Sequence, residues 1–282
     1  MNAPQSKAPS FWRLLNPVLP FACIWKYREL IWQFTIRNIE MRHRGSIFGV
    51  VWSVLNPLLL LTLYVFVFGF IFGGSFGVIP NESRWNYGLG IFVGLVFFHL
   101  IAEALAFAPG VIVSQPNFVK KVVFPLEVLP IATIGASLFH MMMSLALVLV
   151  GLAIGGGTFS LGMLQLPLII FPLTAFALGL TWLISALGVF FRDIGQLVNV
   201  VVTGLMFASA IFYSSHKIPK EAWTFLRFNP LIHFVEMARD VILWDRPIDL
   251  TVAAVLNVIS LVVMTLGYAV FQRLKPAFAD VI

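Results

Sequence analysis

The chain has 282 residues, of which 60% are hydrophobic, 15% aromatic and only 11% charged, far below the roughly 25% charged residues of a soluble domain. No Asp, Glu, Lys or Arg occurs between Val128 and Phe191, and so long an uncharged run is typical of membrane-crossing helices. The single cysteine, Cys23, excludes an internal disulfide framework. The net charge of +6 lies at the ends of apolar segments and not on a basic soluble surface, which argues against nucleic acid as a partner.

The N-terminal part of the chain divides into two segments. Residues 1–25 contain four prolines and little periodicity, and the sequence makes no prediction about their order. Residues 26–44 have helical periodicity, with polar residues such as Glu29 and Arg37 on one stripe and apolar residues such as Phe34 on the other. This pattern predicts a helix in the membrane interface, which is either only an anchor or a contact for a partner.

The remaining apolar segments predict how often the chain crosses the membrane. About 20 apolar residues are needed to cross roughly 30 Å of hydrocarbon. By this measure the sequence predicts an all-α integral membrane protein with one transmembrane domain over residues 26–282. The six predicted spans cover about 47–72, 86–113, 128–154, 163–190, 194–213 and 250–271, with a turn at the glycines 155–157.

The distribution of basic residues predicts the orientation. Cytoplasmic loops carry more Lys and Arg than external loops do. Most of the basic residues fall in inner segments if the N-terminus is inside. Both termini are therefore expected in the cytoplasm, together with the loop formed by residues 114–127.

The external segment 214–249 contains signals for short helices. Asn229 precedes Pro230, which is a capping residue followed by proline at the first helical position. Apolar residues then repeat at helical spacing, while His233, Glu236, Arg239 and Asp240 take the other side. A shorter helix is predicted to begin at Pro219. This segment either dips partway into the membrane or lies on its surface.

Several catalytic motifs are missing from the sequence. The chain has no Gly-Lys pair and thus no phosphate-binding P-loop, and its histidines do not form a metal-binding motif. We therefore expect no nucleotide, cofactor or metal bound by this chain. Glu103 is the one acidic residue within a predicted span. A proton-coupled carrier would use such a carboxylate, but a packing or pore-facing role is favoured, and His140 is expected to be an interhelical hydrogen-bond partner.

The loop around residues 117–127 is unusual for a cytoplasmic turn. Prolines stiffen it, and apolar side chains lie beside Lys120 and Lys121. Such a turn is either a docking knob for a partner or a membrane-surface turn whose aromatic residues sink into the interface.

This loop also carries a resemblance to a known family. "VKKVVFPLEVLP" (119–130) resembles the first cytoplasmic loop of the membrane subunits of polysaccharide-export ABC transporters. Four further stretches are similar to the same family in the same order. They are "RHRGSIFGVVWSVLNPLL" (42–59), "FFRDIGQLVNVV" (190–201), "FNPLIHFVEMARDVIL" (228–243) and "FQRLKPAFADVI" (271–282).

The resemblance implies an assembly and a set of contacts. It implies a homodimer with six spans per subunit and two copies of a separate nucleotide-binding subunit that holds ATP and Mg. It further implies that the interface helix 26–44 and the loop 117–127 contact this ATPase. The expected contact residues are Arg37, Arg42, Arg44, Phe118, Val119, Lys120, Lys121, Phe124 and Glu127.

The resemblance also implies a channel with an external gate formed by residues 214–249. A long glycan moves best over aromatic faces that bind each sugar weakly. The candidate channel-lining residues are Trp52, Tyr64, Phe66, Phe68, Phe72 and Tyr213, although any single aromatic residue equally fits contact with lipid or core. The candidate gate residues are Trp223, Phe228, Asn229, Pro230 and Phe234.

Taken as a family member, the chain is expected to be the permease of a bacterial ABC exporter. Its expected substrate is a lipid-linked polysaccharide, such as an O-antigen, which crosses the cytoplasmic (inner) membrane. An exporter of a drug or small lipid is the alternative within transporters, and a membrane-embedded enzyme acting on lipid-linked sugars is the alternative from another class. The identity and length of the glycan are not predicted.

Overall fold

The computed structural model describes residues 11–42, 44–78, 82–120 and 124–282. Regular secondary structure in these residues is entirely helical. The α-helices in chain order are α1 (Phe11–Leu14), α2 (Val18–Lys26), α3 (Arg28–Arg42), α4 (Trp52–Tyr64), α5 (Arg84–Phe107), α6 (Pro116–Lys120), α7 (Val128–Ile154), α8 (Pro167–Phe190), α9 (Ile194–Ala208), α10 (Lys220–Leu226), α11 (Pro230–Leu243), α12 (Leu250–Leu274) and α13 (Phe278–Val281).

Five helical segments of the described chain are long and apolar enough to cross a membrane. They are Trp52–Ile71, Arg84–Gly110, Val128–Ile154, Leu161–Phe190 and Leu250–Val281. They correspond to five of the six predicted spans. The remaining one, predicted over 194–213, contains only the 15 residues of α9, fewer than the roughly 20 needed for a straight crossing.

The interface helix predicted over 26–44 corresponds to α3 (Arg28–Arg42), which follows α2 after a break at Tyr27. This helix packs along α7, and a Cβ atom placed on Gly135 of α7 would lie only 2.5 Å from the Thr35 hydroxyl. Phe34 is partly buried against the core, whereas Met41, seven residues further along the helix, is exposed. The helix is therefore packed against the transmembrane bundle through one stripe and leaves other apolar side chains outside.

The spans differ in how deeply they are buried. In α5, 78% of the apolar segment is buried, whereas the first span has only 17% buried. That first span contains Pro57 and continues beyond Tyr64 as a π-helical segment, Val65–Ile71, which the sequence does not predict. The second span thus forms the centre of the chain, and the first lies at its periphery.

The closest helix contact joins α8 and α12. A Cβ atom on Gly267 would lie 2.0 Å from the carbonyl oxygen of Gly179, and one on Gly179 would lie 2.4 Å from the carbonyl oxygen of Val263. Only glycine permits backbones to approach this closely. In the two Gly-x-x-x-Gly pairs, Gly90/Gly94 and Gly151/Gly155, the atoms nearest to an added Cβ belong to side chains.

Contacts between distant residues define two ends of the molecule. One end, here called the coupling end, joins α3 to the loop 116–127 and to the C-terminal residues, where Lys275 bonds to Glu127. The other end, here called the gate end, joins the residues after the first span to the segment 209–249, for example through Lys217 Nζ and the Ser75 carbonyl oxygen, 2.5 Å apart.

Candidate functional site

An aromatic cluster connects α3 to the loop at the coupling end. The ring centroids of Phe118 and Phe124 lie 4.6 Å apart, and both rings contact Phe34 of α3, at 5.7 and 5.3 Å. The two aromatic residues of the expected docking knob are therefore turned towards α3 and half-buried. Because these three rings pack together, they hold α3 and the loop against each other.

The charged residues expected at the coupling end have different environments. Arg44 and Lys120 are exposed and available to a partner. Glu127 is 6% exposed and accepts a hydrogen bond of 2.6 Å from Lys275 Nζ. Its carboxylate is thus engaged within the chain, and it ties the loop to the C-terminal residues. Val119 is half-buried, and Lys121 lies outside the described residues.

A partly buried ionic group, here called the polar bridge, links α3 to the spans. It consists of Arg42 from α3, Glu103 from α5 and His140 from α7. Arg42 and Glu103 form an ion pair, and His140 Nδ1 lies 2.9 Å from Glu103 Oε1 and 2.8 Å from Arg42 Nη1. Burial lowers the pKa of Arg42 to about 10, so its guanidinium stays charged at neutral pH.

The polar bridge changes the expected roles of its members. Arg42 was expected at the surface of the ATPase contact, but its side chain is mostly buried and points to Glu103. The interhelical hydrogen-bonding predicted for His140 is confirmed. The polar bridge therefore attaches α3 to the second and third spans, since these three charged or polar groups would otherwise lose partners in a medium of low polarity.

Two cavities meet at Glu103. The intramembrane cavity has a volume of about 290 Å³ and lies between α4, α5 and α7, lined among others by Trp52, Asn56 and His99. The interface cavity has a volume of about 650 Å³ and lies between α3, the end of α5, the following turn and the start of α7. Glu103 lines both cavities, so the polar bridge forms part of the wall between them.

The candidate channel aromatics fall into two groups. Tyr64 and Phe68 pack on Phe212, with centroids 6.1 and 5.2 Å away, so they fasten the first span to the gate end. Phe66 and Phe72 are exposed on the surface of the chain. Trp52 donates a hydrogen bond of 2.8 Å to Ser46 beside the intramembrane cavity, and Tyr213 donates one of 2.5 Å to the Phe207 carbonyl oxygen.

The predicted gate segment contains two helices with the expected starts. α10 begins directly after Pro219, and the Asn229 side chain caps α11 by accepting a hydrogen bond from the Leu231 amide at 3.0 Å. Pro230 is the first residue of α11. Phe228 is exposed, and Trp223 is half-buried beside His233. Phe234 is fully buried, so its ring packs in the core of this subunit and is not exposed on the gate surface.

The predicted position of Arg239, at the gate end, is wrong. This residue was assigned to the polar side of α11, but only 1% of it is exposed. Its guanidinium donates to three backbone carbonyl oxygens, those of Gly90 (2.9 Å), Ala210 (2.8 Å) and Ile211 (2.5 Å). Burial lowers the pKa of Arg239 to about 10, so it remains charged at neutral pH.

Two further side chains donate to backbone carbonyl oxygens near Arg239. Arg239, Tyr87 and Asn229 are here together called the carbonyl clamp. The Tyr87 hydroxyl donates to the Phe212 carbonyl oxygen at 2.9 Å, and Asn229 Nδ2 donates to that of Ala208 at 2.9 Å. Ala210 has a φ of +51°, a left-handed conformation that is uncommon for a residue other than glycine. The clamp explains why α9 ends at Ala208, because the carbonyl groups beyond it bond to side chains instead of continuing a helix.

The described residues contain no group of three His, Cys, Asp or Glu side chains placed to hold a metal ion. The ionisable groups that do come together form the polar bridge and the carbonyl clamp. Both connect helices to one another. Together with the five long apolar helices, these contacts between helices define a helical membrane protein that crosses the bilayer several times.

Comparison with known proteins identifies the class of this membrane protein. Residues 29–243 match the family described as ABC-2 type transporter, and the chain belongs to that family. The match runs from α3 through both gate helices. It therefore includes the aromatic cluster, the polar bridge and the carbonyl clamp.

Individual relatives cover nearly the whole chain. The O-antigen export system permease protein RfbA of Klebsiella pneumoniae is 25% identical over 255 residues, which cover 90% of this chain and 95% of that protein. RfbA of Myxococcus xanthus is 26% identical over 91% of this chain and 96% of its own length. The polysialic acid transport protein KpsM of Escherichia coli is 24% identical over 86% of this chain and 92% of its own length.

Proposed function

We propose that this chain is the membrane subunit of a bacterial ABC exporter that moves a lipid-linked polysaccharide across the inner membrane. The observation that carries the proposal is that relatives from three bacterial species, aligned over most of this chain, are named for the export of O-antigen or polysialic acid. ATP hydrolysis takes place in a separate nucleotide-binding subunit, present in two copies, because this sequence has no P-loop.

The coupling end receives the movement of the ATPase. The exposed Lys120 and Arg44 meet the partner subunit, and the aromatic cluster passes the push from the loop to α3. Arg42 then passes it to Glu103 and His140, and so to α5 and α7. Each of these contacts is short and specific, so the loop, α3 and two spans move together.

The channel forms between two copies of the chain. Most side chains of α4 and α9 are not buried within one subunit, so these two helices supply the surface for a homodimer and for the glycan. Phe66, Phe70 and Phe72, at the end of the first span, are exposed aromatic residues on this surface. An exporter of a drug or small lipid with the same architecture is the second candidate.

We also infer that α9 is the sixth span, with both termini in the cytoplasm. Support comes from its two ends: Gly195 lies beside Pro109, near the coupling end, while Ile211 is held by Arg239 at the gate end. The turn at 209–213 supplies the length that the 15-residue helix lacks. The N-terminal helices α1 and α2 pack against α12, and Lys275 near the C-terminus bonds to Glu127 of the loop at the coupling end, as a common cytoplasmic location of both termini requires.

The experiment that tests the proposal is purification of the tagged full-length chain with its ATPase. Lys120→Glu reverses an exposed charge at the coupling end, and Lys220→Glu makes the same change at the gate end as a matched control. We expect an ATPase to co-purify with the wild type and the control, and to be reduced or uncoupled with Lys120→Glu. Failure of any ATPase to co-purify with the wild type in mild detergent would contradict the proposal.

An export assay separates the proposal from a proton-coupled carrier. Glu103→Gln removes the carboxylate that a proton pathway would need, but it also weakens the polar bridge to Arg42 and His140, so loss of export in this variant fits both readings. Transport into inverted membrane vesicles supplied with ATP, in the presence of a protonophore, separates them. If the exporter proposal is correct, transport continues without a proton gradient, whereas transport that stops with the protonophore while ATP hydrolysis continues would favour the carrier.

A further inference from the structure

The interface cavity has both polar and apolar walls. Arg37, Asn38, Ser114 and Gln115 supply its polar groups, and Met41, Phe107, Val111 and Leu129 supply its apolar surface. The function proposed above does not use this cavity. Its volume of about 650 Å³ lies within the range of ligand-binding pockets, roughly 300–1,000 Å³.

The charge of the cavity is positive. Arg42 lines it, but its charge is compensated by the ion pair with Glu103. The Arg37 guanidinium is stacked on the Phe34 ring at 4.3 Å and has no ion pair among the described residues. Arg37 therefore leaves one uncompensated positive charge on the cavity wall.

Arg37 also has an unused donor. Its Nε atom is buried and has no hydrogen-bond partner within the described chain. A buried N–H group without an acceptor is unfavourable, and a guanidinium matches the oxygen geometry of a phosphate especially well. Arg37 lines the interface cavity, so an anionic oxygen bound there would neutralise its charge, and a rotation that turns the buried Nε atom towards the cavity would give this donor an acceptor.

We propose that the interface cavity binds the phosphate group of a lipid, with Arg37 as its principal contact. The amides of Asn38 and Gln115 supply further donors, and Phe107, Val111 and the neighbouring apolar residues contact the first carbons of the lipid chain. The amphipathic lining favours a lipid over a free phosphate ion, because an inorganic ion would leave the apolar half of the cavity unused.

Two sources can supply this phosphate. One is an anionic phospholipid of the bilayer, and the other is the phosphate that links a lipid to its glycan. The second source rests on the proposed function. Lipid binding is measured without export, so a failure of this inference and a failure of the exporter proposal give different results.

The test measures lipid binding to the full-length chain purified with its ATPase, using native mass spectrometry. Dioleoyl phosphatidylglycerol and undecaprenyl phosphate are compared with their phosphate-free counterparts, dioleoylglycerol and undecaprenol. We expect at least one phosphorylated lipid to bind at one site per chain. Arg37→Gln should weaken that binding about tenfold or more, as expected for the loss of a charge-assisted contact.

Two further variants isolate the cavity from general charge effects. Arg28→Gln removes a charge from the exposed part of the same helix, where Arg28 pairs with Glu29 at 3.5 Å, and should bind like the wild type. Ser114→Trp fills the cavity without changing its charge, and should weaken binding even if Arg37→Gln does not fold. The tighter of the two phosphorylated lipids identifies the source. Equal binding by the phosphate-free lipids, or wild-type binding by both Arg37→Gln and Ser114→Trp, would overturn the proposal.

Discussion

The carbonyl clamp at the gate end gives the sharpest prediction about stability. Replacing Arg239 with methionine keeps an unbranched apolar side chain but removes all three donors. The carbonyl oxygens of Ala210 and Ile211 then lose this donor, whereas that of Gly90, inside α5, keeps its helical bond from the Gly94 amide. We expect the end of α9 to separate from α5 and α11, because no other described side chain donates to these three oxygens.

The expected loss in the free energy of unfolding follows from the hydrogen bonds that Arg239 donates. A buried acceptor left without a donor costs roughly 1–3 kcal/mol. Removing the buried charge recovers part of this loss, and the three effects are not independent. We therefore take the lower bound for each of the two oxygens left without a donor and expect a loss of about 2 kcal/mol, which corresponds to a fall in melting temperature of about 4–8 °C for a chain of this size.

The assay is thermal unfolding of the purified full-length complex, followed by fluorescence-detected size-exclusion chromatography. Arg239→Lys keeps the charge but has a single terminal nitrogen, so it should fall between the wild type and Arg239→Met. Arg227→Met is the matched control, because Arg227 is exposed and stacks only on Phe228; it should change stability by less than about 0.5 kcal/mol. If Arg239→Met has the same melting temperature as Arg227→Met, the bonds donated by Arg239 do not stabilise the gate end.

Three further predictions concern other parts of the chain. Gly267→Ala should destabilise the protein by several kcal/mol, since its Cβ would lie 2.0 Å from a carbonyl oxygen of α8, whereas Gly204→Ala, with nothing within 4 Å, should be neutral or slightly stabilising in α9. Glu127→Gln should cost about 1–3 kcal/mol by weakening the bond to Lys275. Cys23 should resist alkylation by maleimide at pH 7, because burial raises the pKa of its thiol to about 12 and only the thiolate reacts.

Each of these predictions has a measurement that decides it. Thermal unfolding compares the two glycine variants, and equal melting temperatures would show that the contact between α8 and α12 tolerates a methyl group. For Glu127→Gln, the double variant with Lys275→Met should lose little more than either single variant, since both remove the same bond; additive losses would contradict the pairing. Mass spectrometry after maleimide treatment reports on Cys23, and rapid labelling of the folded protein at pH 7 would contradict its burial.

The sequence by itself determined the class of protein and most of its helix boundaries. Low charge and long apolar runs indicate membrane helices because lipid imposes a minimum length on them. Local signals also worked: Asn229 caps α11 as predicted, and the break at 155–157 contains Gly156 with a φ of +71°. These features depend on neighbouring residues, so they can be read from a short stretch of sequence.

Only the tertiary structure decided which polar groups meet. Arg42 and His140 are 98 residues apart in the chain, and no local pattern indicates that both contact Glu103. Helical periodicity likewise placed Arg239 on a polar face, but its side chain is buried and donates to backbone carbonyl groups of two other segments. In a membrane helix, apolar residues face lipid and protein alike, so periodicity does not distinguish the two surfaces. The partners of a buried charge are chosen by helix packing, which brings together residues from distant parts of the chain.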